Sequence, residues 1–206
     1  LGQNLLLHLV VPQILLGVAV AWVWTRARRQ QRVMASLEDA WEAVQFRNWD
    51  RAESLLLYVL RRPLPSSPIR VRSFLALAGV ADGRRQYDIL QHVLLRLLQE
   101  YEVDRGLNCF IRIALAGVML HTDQLTDAIH LIEKLNRETL PQPLRARVEL
   151  LNLFRSVRMG QVDDALQAAD QRRDLFRRYL GTKAGYGYGL LAAAFDRAGN
   201  TEQAAC

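Results

Sequence analysis

Four histidines, two cysteines, one glycine-rich run and one pair of adjacent carboxylates are the residues with chemical potential in this chain. His8, His92, His121 and His130 never stand four apart, the spacing that puts two ligands on one helix face. No cysteine or carboxylate set joins them at zinc or calcium spacing. The histidines read as polar positions on helices. Cys109 heads the apolar run CFIRIALAGV and reads as a small core residue rather than a nucleophile. Cys206 follows no prenylation motif, and two cysteines so far apart build no disulfide framework. The GYGYG run at 185–189 is followed by Leu190 and Leu191, not by the Lys-Ser/Thr that a phosphate loop requires. It predicts a helix opening at which small residues let helices cross closely. Asp163 and Asp164 stand at a predicted helix start, where acids complement the dipole. These residues predict no enzyme, no metal site and no cofactor, so function has to come from the elements around them.

The chain has 206 residues, of which 50% are hydrophobic and 23% charged. That suits one ordinary domain with its own core and excludes a disordered or low-complexity chain. The net charge of +6 is local: Arg26, Arg28, Arg29 and Arg32 supply four of the 27 basic residues, and the other 23 face 21 acids. A phosphate-tracking surface needs a wider field and interleaved aromatics, so no nucleic-acid partner is expected.

From Leu5 to Thr25 the chain reads LLLHLVVPQILLGVAVAWVWT, with no Lys, Arg, Asp or Glu before Arg26. Twenty-one helical residues span about 30 Å, the thickness of a hydrocarbon core. Trp22 and Trp24 stand where rings prefer the headgroup layer, and the juxtamembrane Arg26, Arg28, Arg29 and Arg32 follow at once. A secretory signal would carry its charge before the apolar run. Residues 1–25 are therefore predicted to be a transmembrane helix, 26–33 a basic juxtamembrane linker, and 34–206 a repeat domain. Positive flanks stay inside, which puts the N-terminus out and the repeats in the cytoplasm. His8 and Gln13, polar at membrane depth, are candidates to face a partner helix.

After Arg32 apolar residues recur at helical spacing, and the pattern repeats. Polar turns precede helix starts at FRNWDRAESLL, RRQYDILQHVL, TDQLTDAIHLI, MGQVDDALQAA and AGNTEQAAC. Each second helix carries a small or apolar residue at Ala52, Leu90, Ala128, Ala165 and Ala204. Twelve residues earlier in each unit come Ala40, Ala78, Ala116, Leu153 and Ala192. The steps are near 38 residues throughout. Such pairs let two helices of a hairpin approach closely, and hairpins that cannot bury both faces must stack. The fold class is all-α: a transmembrane helix followed by an α-solenoid of about five hairpins.

The small residue eight positions into each unit, the turn residues Trp49, Tyr87, Leu125 and Val162, and the later alanine resemble the tetratricopeptide repeat family over residues 34–206. The period is longer than that family's, and Leu153 and Leu90 replace small residues. An anchor, an arginine cluster and then repeats is also the layout of membrane-anchored bacterial proteins of this family, such as the lipopolysaccharide-assembly regulator. The rubredoxin-like domain of that protein has no counterpart here. The resemblance implies a concave face for protein partners, with Trp41, Leu75, Phe110, Ile113, Leu150, Leu151 and Phe154 pointing inward and Arg158 beside them. An apolar groove edged by arginines suits an amphipathic segment with acidic flanks. The function expected is a membrane-anchored scaffold or adaptor in the bacterial inner membrane, serving membrane-complex subunits. The alternative is a soluble regulatory module whose N-terminal helix docks into a partner.

Overall fold

The computed structural model describes the backbone of residues 2–61 and 66–200 and the side chains of residues 17–61 and 66–200. Among the described residues all regular structure is helical: ten α-helices, one 3-10 turn at Gly181–Lys183 and no strand. The chain divides into two compact units, Leu1–Arg85 and Gln86–Cys206.

The first unit holds α1 (Gly2–Gln45), α2 (Trp49–Leu60) and α3 (Ser67–Gly83). Helix α1 runs unbroken through Arg26–Arg32, so the stretch expected to be a linker is helix. Between Val18 and Phe46 there is neither Gly nor Pro to stop it, and the helix formers Ala, Arg, Gln and Glu supply about half of the residues. Burial begins at Val33 and continues at Leu37, Ala40 and Ala43, the stripe of a helix with one packed face. Helix α2 folds back on that stripe, with Ala40 and Ala52 both fully buried. Trp49, at the start of α2, lies against Gly83 at the end of α3, where any Cβ would enter its ring. Arg84 bonds both Asp50 and Glu53 of α2, the latter at 2.6 Å.

The second unit holds α4 (Tyr87–Glu100), α5 (Arg105–His121), α6 (Leu125–Asn136), α7 (Gln142–Arg158), α8 (Val162–Leu166), α9 (Ala169–Tyr179) and α10 (Ala184–Arg197). Helix α5 packs on α4, α6 and α7; α7 in turn meets α8, α9 and α10. Asp104 caps α5 by accepting from the Leu107 amide at 3.0 Å, and Pro143 stands in the first turn of α7, where its missing N–H does no harm. Ala116, Ala128, Leu153 and Ala165 are fully buried and Ala192 half-buried. Ala204 lies outside the described residues.

The turns carry an independent marker of the repeat. Arg47, Arg85, Asp123, Gly160 and Gly199 all have positive φ, between 56° and 77°. Their spacing repeats that of the small residues. Each follows a helix end, after α1, α3, α5, α7 and α10, and the next amide reaches back five residues in four of them: Asn48 to Ala43, Gln124 to Met119, Gln161 to Ser156, Asn200 to Phe195, at 2.8 to 3.0 Å. This is the Schellman closure, which satisfies carbonyls left open at a helix end. Three of the five positions are not glycine, so sequence alone does not mark them.

Of the three glycines in GYGYG, Gly187 alone is buried. A Cβ there would stand 2.6 Å from the ring of Phe176, the largest fully buried side chain, and 3.3 Å from Leu150; at Gly185 and Gly189 it would meet nothing. Gly187→Ala is therefore expected to cost about 1–3 kcal/mol. Gly185→Ala should instead gain about 0.5–1 kcal/mol, as helix entropy favours alanine. Urea unfolding of the two variants checks the opposite signs.

Candidate partner-binding face

The second unit assembles a row of four rings from four helices. Tyr87 of α4 stacks on His121 of α5 with centroids 4.7 Å apart and planes 2° from parallel. His121 meets Phe154 of α7 at 4.8 Å, and Phe154 meets Tyr186 of α10 edge-on at 5.9 Å. The hairpin register places them: the first residue of one second helix comes beside the last turn of the next first helix. Phe154 is 7% exposed and anchors the row in the core, whereas Tyr186 is 46% exposed and presents its ring outward. Arg158, one turn beyond Phe154, is ion-paired with Asp123. Burial pushes the Tyr186 hydroxyl above its ordinary pKa and Tyr87 adds to this, while Arg158 opposes it. The Tyr186 hydroxyl therefore stays protonated and neutral. Ring faces, hydroxyl donors and a guanidinium suit an apolar or aromatic side chain with an acidic neighbour.

The structure distributes the sequence-predicted groove differently. Ile113, Leu151 and Phe154 belong to one core cluster and Leu150 to the next, where they pack between helices. Phe110 is half-buried beneath the Arg147 guanidinium, 4.9 Å from its centroid, and burial holds Arg147 below its ordinary pKa. Trp41 and Leu75 are half-buried in the first unit, and the Trp41 indole N–H is buried without an acceptor. Of the predicted residues, Phe154 and Arg158 stand at the row of rings, with Tyr87, His121 and Tyr186. Tyr87 was visible as a turn aromatic. The 33- and 32-residue steps from His121 to Phe154 to Tyr186, both short of the repeat period, hid the row.

At the other end of the chain, residues 17–32 of α1 are exposed throughout. Val18, Val20, Trp22, Val23 and Trp24 each leave 55–62% of their surface uncovered. The Arg28 guanidinium lies 3.7 Å over the Trp24 ring and that of Arg26 5.1 Å over Trp22; Arg29 and Arg32 project beside them. Among the described residues no helix is long and apolar enough to cross a membrane. The apolar run 5–25 lies mostly outside the described side chains, and so do His8 and Gln13.

Cys109 is buried, and its thiol donates to Glu138 at 3.3 Å. Burial and the adjacent carboxylate push the thiol up, which makes it a poor nucleophile. Among the described residues no group of three or more His, Cys, Asp or Glu is placed to hold a metal ion. No family model matches the chain, and neither a curated protein nor a solved structure does.

Two outcomes follow from this geometry. Phe154→Ala is expected to cost about 3–5 kcal/mol as a core truncation, while Tyr186→Ala stays within about 1 kcal/mol, by thermal unfolding. Burial raises the Glu138 pKa, but bonds from Arg112 at 2.5 Å and from Cys109 outweigh it and hold the carboxyl below 4.5. A depressed pKa stabilises the fold above the unfolded value and loses that contribution as pH falls through the folded one. Glu138→Gln should therefore flatten the acid limb of stability below about pH 4.5, read from urea midpoints.

Proposed function

We propose that this chain is a membrane-anchored scaffold of tetratricopeptide-like hairpins that holds a protein partner at the face bearing Tyr87, His121, Tyr186 and Arg158. The observation that carries the reading is the bare stretch of α1. Five large apolar side chains stand uncovered on consecutive turns, immediately before four arginines. Apolar surface of that extent needs a cover, and a bilayer supplies one along the whole run 5–25. Tryptophans then sit at the headgroup layer and arginines on the cytoplasmic side. The spacing of the left-handed turns supports the repeat assignment, since it reproduces the period of the small residues. On this reading the protein is a single-pass inner-membrane component with its N-terminus out. It is not an enzyme but an accessory subunit or an assembly and quality-control factor of a membrane complex. Anchoring raises its effective concentration near membrane partners.

Alkaline carbonate extraction tests the anchor: the chain should stay with the membrane pellet, and release into the supernatant would contradict it. Reporter fusions after Gln31 and after Cys206 should be active only as cytoplasmic reporters, and an exported signal at either would overturn the orientation. Affinity purification in mild detergent should recover a membrane-complex protein that Tyr186→Ala and Arg158→Glu both lose. Its undiminished recovery by both variants would remove the proposed face.

A further inference from the structure

The second helix of the fourth hairpin stops after five residues at Leu166 and resumes at Ala169. Gln167 leaves the helical region at ψ 125°, and Ala168 takes a left-handed conformation at φ 56°. A methyl-bearing residue there costs on the order of 1 kcal/mol, and a broken helix leaves carbonyls unsatisfied. Arg172 answers the second problem: its Nη1 donates to the carbonyls of Asp164 and Ala165 at 2.9 and 2.8 Å, and its Nε lies 3.5 Å from Glu149.

Both sides of this break wall a cavity of about 740 Å3, closed further by α7 and by the end of α6 with the loop after it. That is the size of a small-molecule site. Its charges do not cancel. Arg137, Arg145, Arg155 and Arg172 line it together with Glu138, Glu149 and Asp164. Glu138 is committed to Arg112 and Cys109, and Glu149 to Arg172, whose Nη1 also donates to the backbone carbonyl of Asp164; the Asp164 carboxylate is exposed at the rim and leaves three arginines against one free acid. Among the described residues Arg137, Arg145 and Arg155 have no carboxylate within ion-pair distance. The Arg155 Nε is buried without any acceptor. A buried charged donor left unmet is expensive, and three guanidiniums without carboxylate partners around one cavity, Arg155 half-buried and Arg137 and Arg145 exposed, suit oxygen anions. Asn136 at the end of α6 and Asn152 of α7, which exchange two amide hydrogen bonds at 3.1 and 3.3 Å, also line it and add donors and acceptors for hydroxyl groups.

We propose that this cavity binds a small organic anion carrying two or more phosphate or carboxylate groups, held by Arg137, Arg145 and Arg155. The site is independent of the anchor and of the aromatic row. Arg172 is a positioning residue, because its donors are taken by the Asp164 and Ala165 carbonyls and by Glu149.

The test is calorimetric titration of the full chain in non-ionic detergent with inorganic pyrophosphate and, separately, with citrate. At least one probe should bind saturably at millimolar concentration or better, and the one that binds identifies the headgroup. Arg155→Gln and Arg145→Gln should each weaken it by at least about tenfold, while Arg70→Gln, exposed in the first unit, leaves it unchanged. Arg145 is exposed, so its variant keeps the site testable if Arg155→Gln unfolds; far-UV circular dichroism reports that. Absence of saturable binding by either probe, equal binding by Arg145→Gln, or binding by hexaglutamate alone would each overturn the proposal.

Discussion

Everything placed in this chain depends on how closely two helices can approach beside a short turn. The turn is fixed by one residue in the left-handed region and an amide that reaches back five residues. Beyond it the helices touch at side chains small enough to let the backbones meet, as at Ala40 with Ala52 and Ala116 with Ala128. Once that geometry recurs at a constant interval, the rest of the packing follows from register. The residue that opens a second helix lies against the last turn of the next first helix, which seats Trp49 on Gly83 and Tyr87 on His121. The aromatic row is thus a product of hairpin closure extended by Phe154 and Tyr186, and needs no separate device.

The departures from this rule are as informative as the rule. In the fourth hairpin the first-helix position that is small elsewhere is Leu153, and there the second helix breaks. The break is held by Arg172 and by a strained alanine, a combination that persists only where surrounding contacts fix it. At the N-terminal end the departure is one of cover. From Val33 onward α1 has a packed face, and over residues 17–32 it has none. A helix that is apolar and bare over consecutive turns is satisfied by a bilayer or by another protein, and the tryptophan-to-arginine order favours the bilayer.

Much of the repeat was legible in the sequence because it is local. Small residues, turn residues and acidic helix starts all recur at one interval, and each reports on its own few neighbours. The inward face was less legible. A first helix in a stack has two packed sides, and periodicity does not separate the side that meets a neighbouring hairpin from the side left open. That is why Ile113, Leu150 and Leu151 proved to be core. Nor did Arg47, Arg85 and Asp123 advertise their left-handed backbone, for lack of glycine. The sequence around Gln167 and Ala168 favours continuous helix, so the break there is set by tertiary packing overriding local propensity. Gly187 was readable as a crossing point, but not its two neighbours' irrelevance to packing.

The central claim is that the exposed turns of α1 lie in a bilayer, and tryptophan fluorescence reads this directly. In vesicles containing lipids brominated near the headgroups, emission from the reconstituted chain should be quenched, and Trp22→Phe with Trp24→Phe should abolish the quenched component. Emission indifferent to brominated lipid, or quenching that survives the double substitution, would contradict the account.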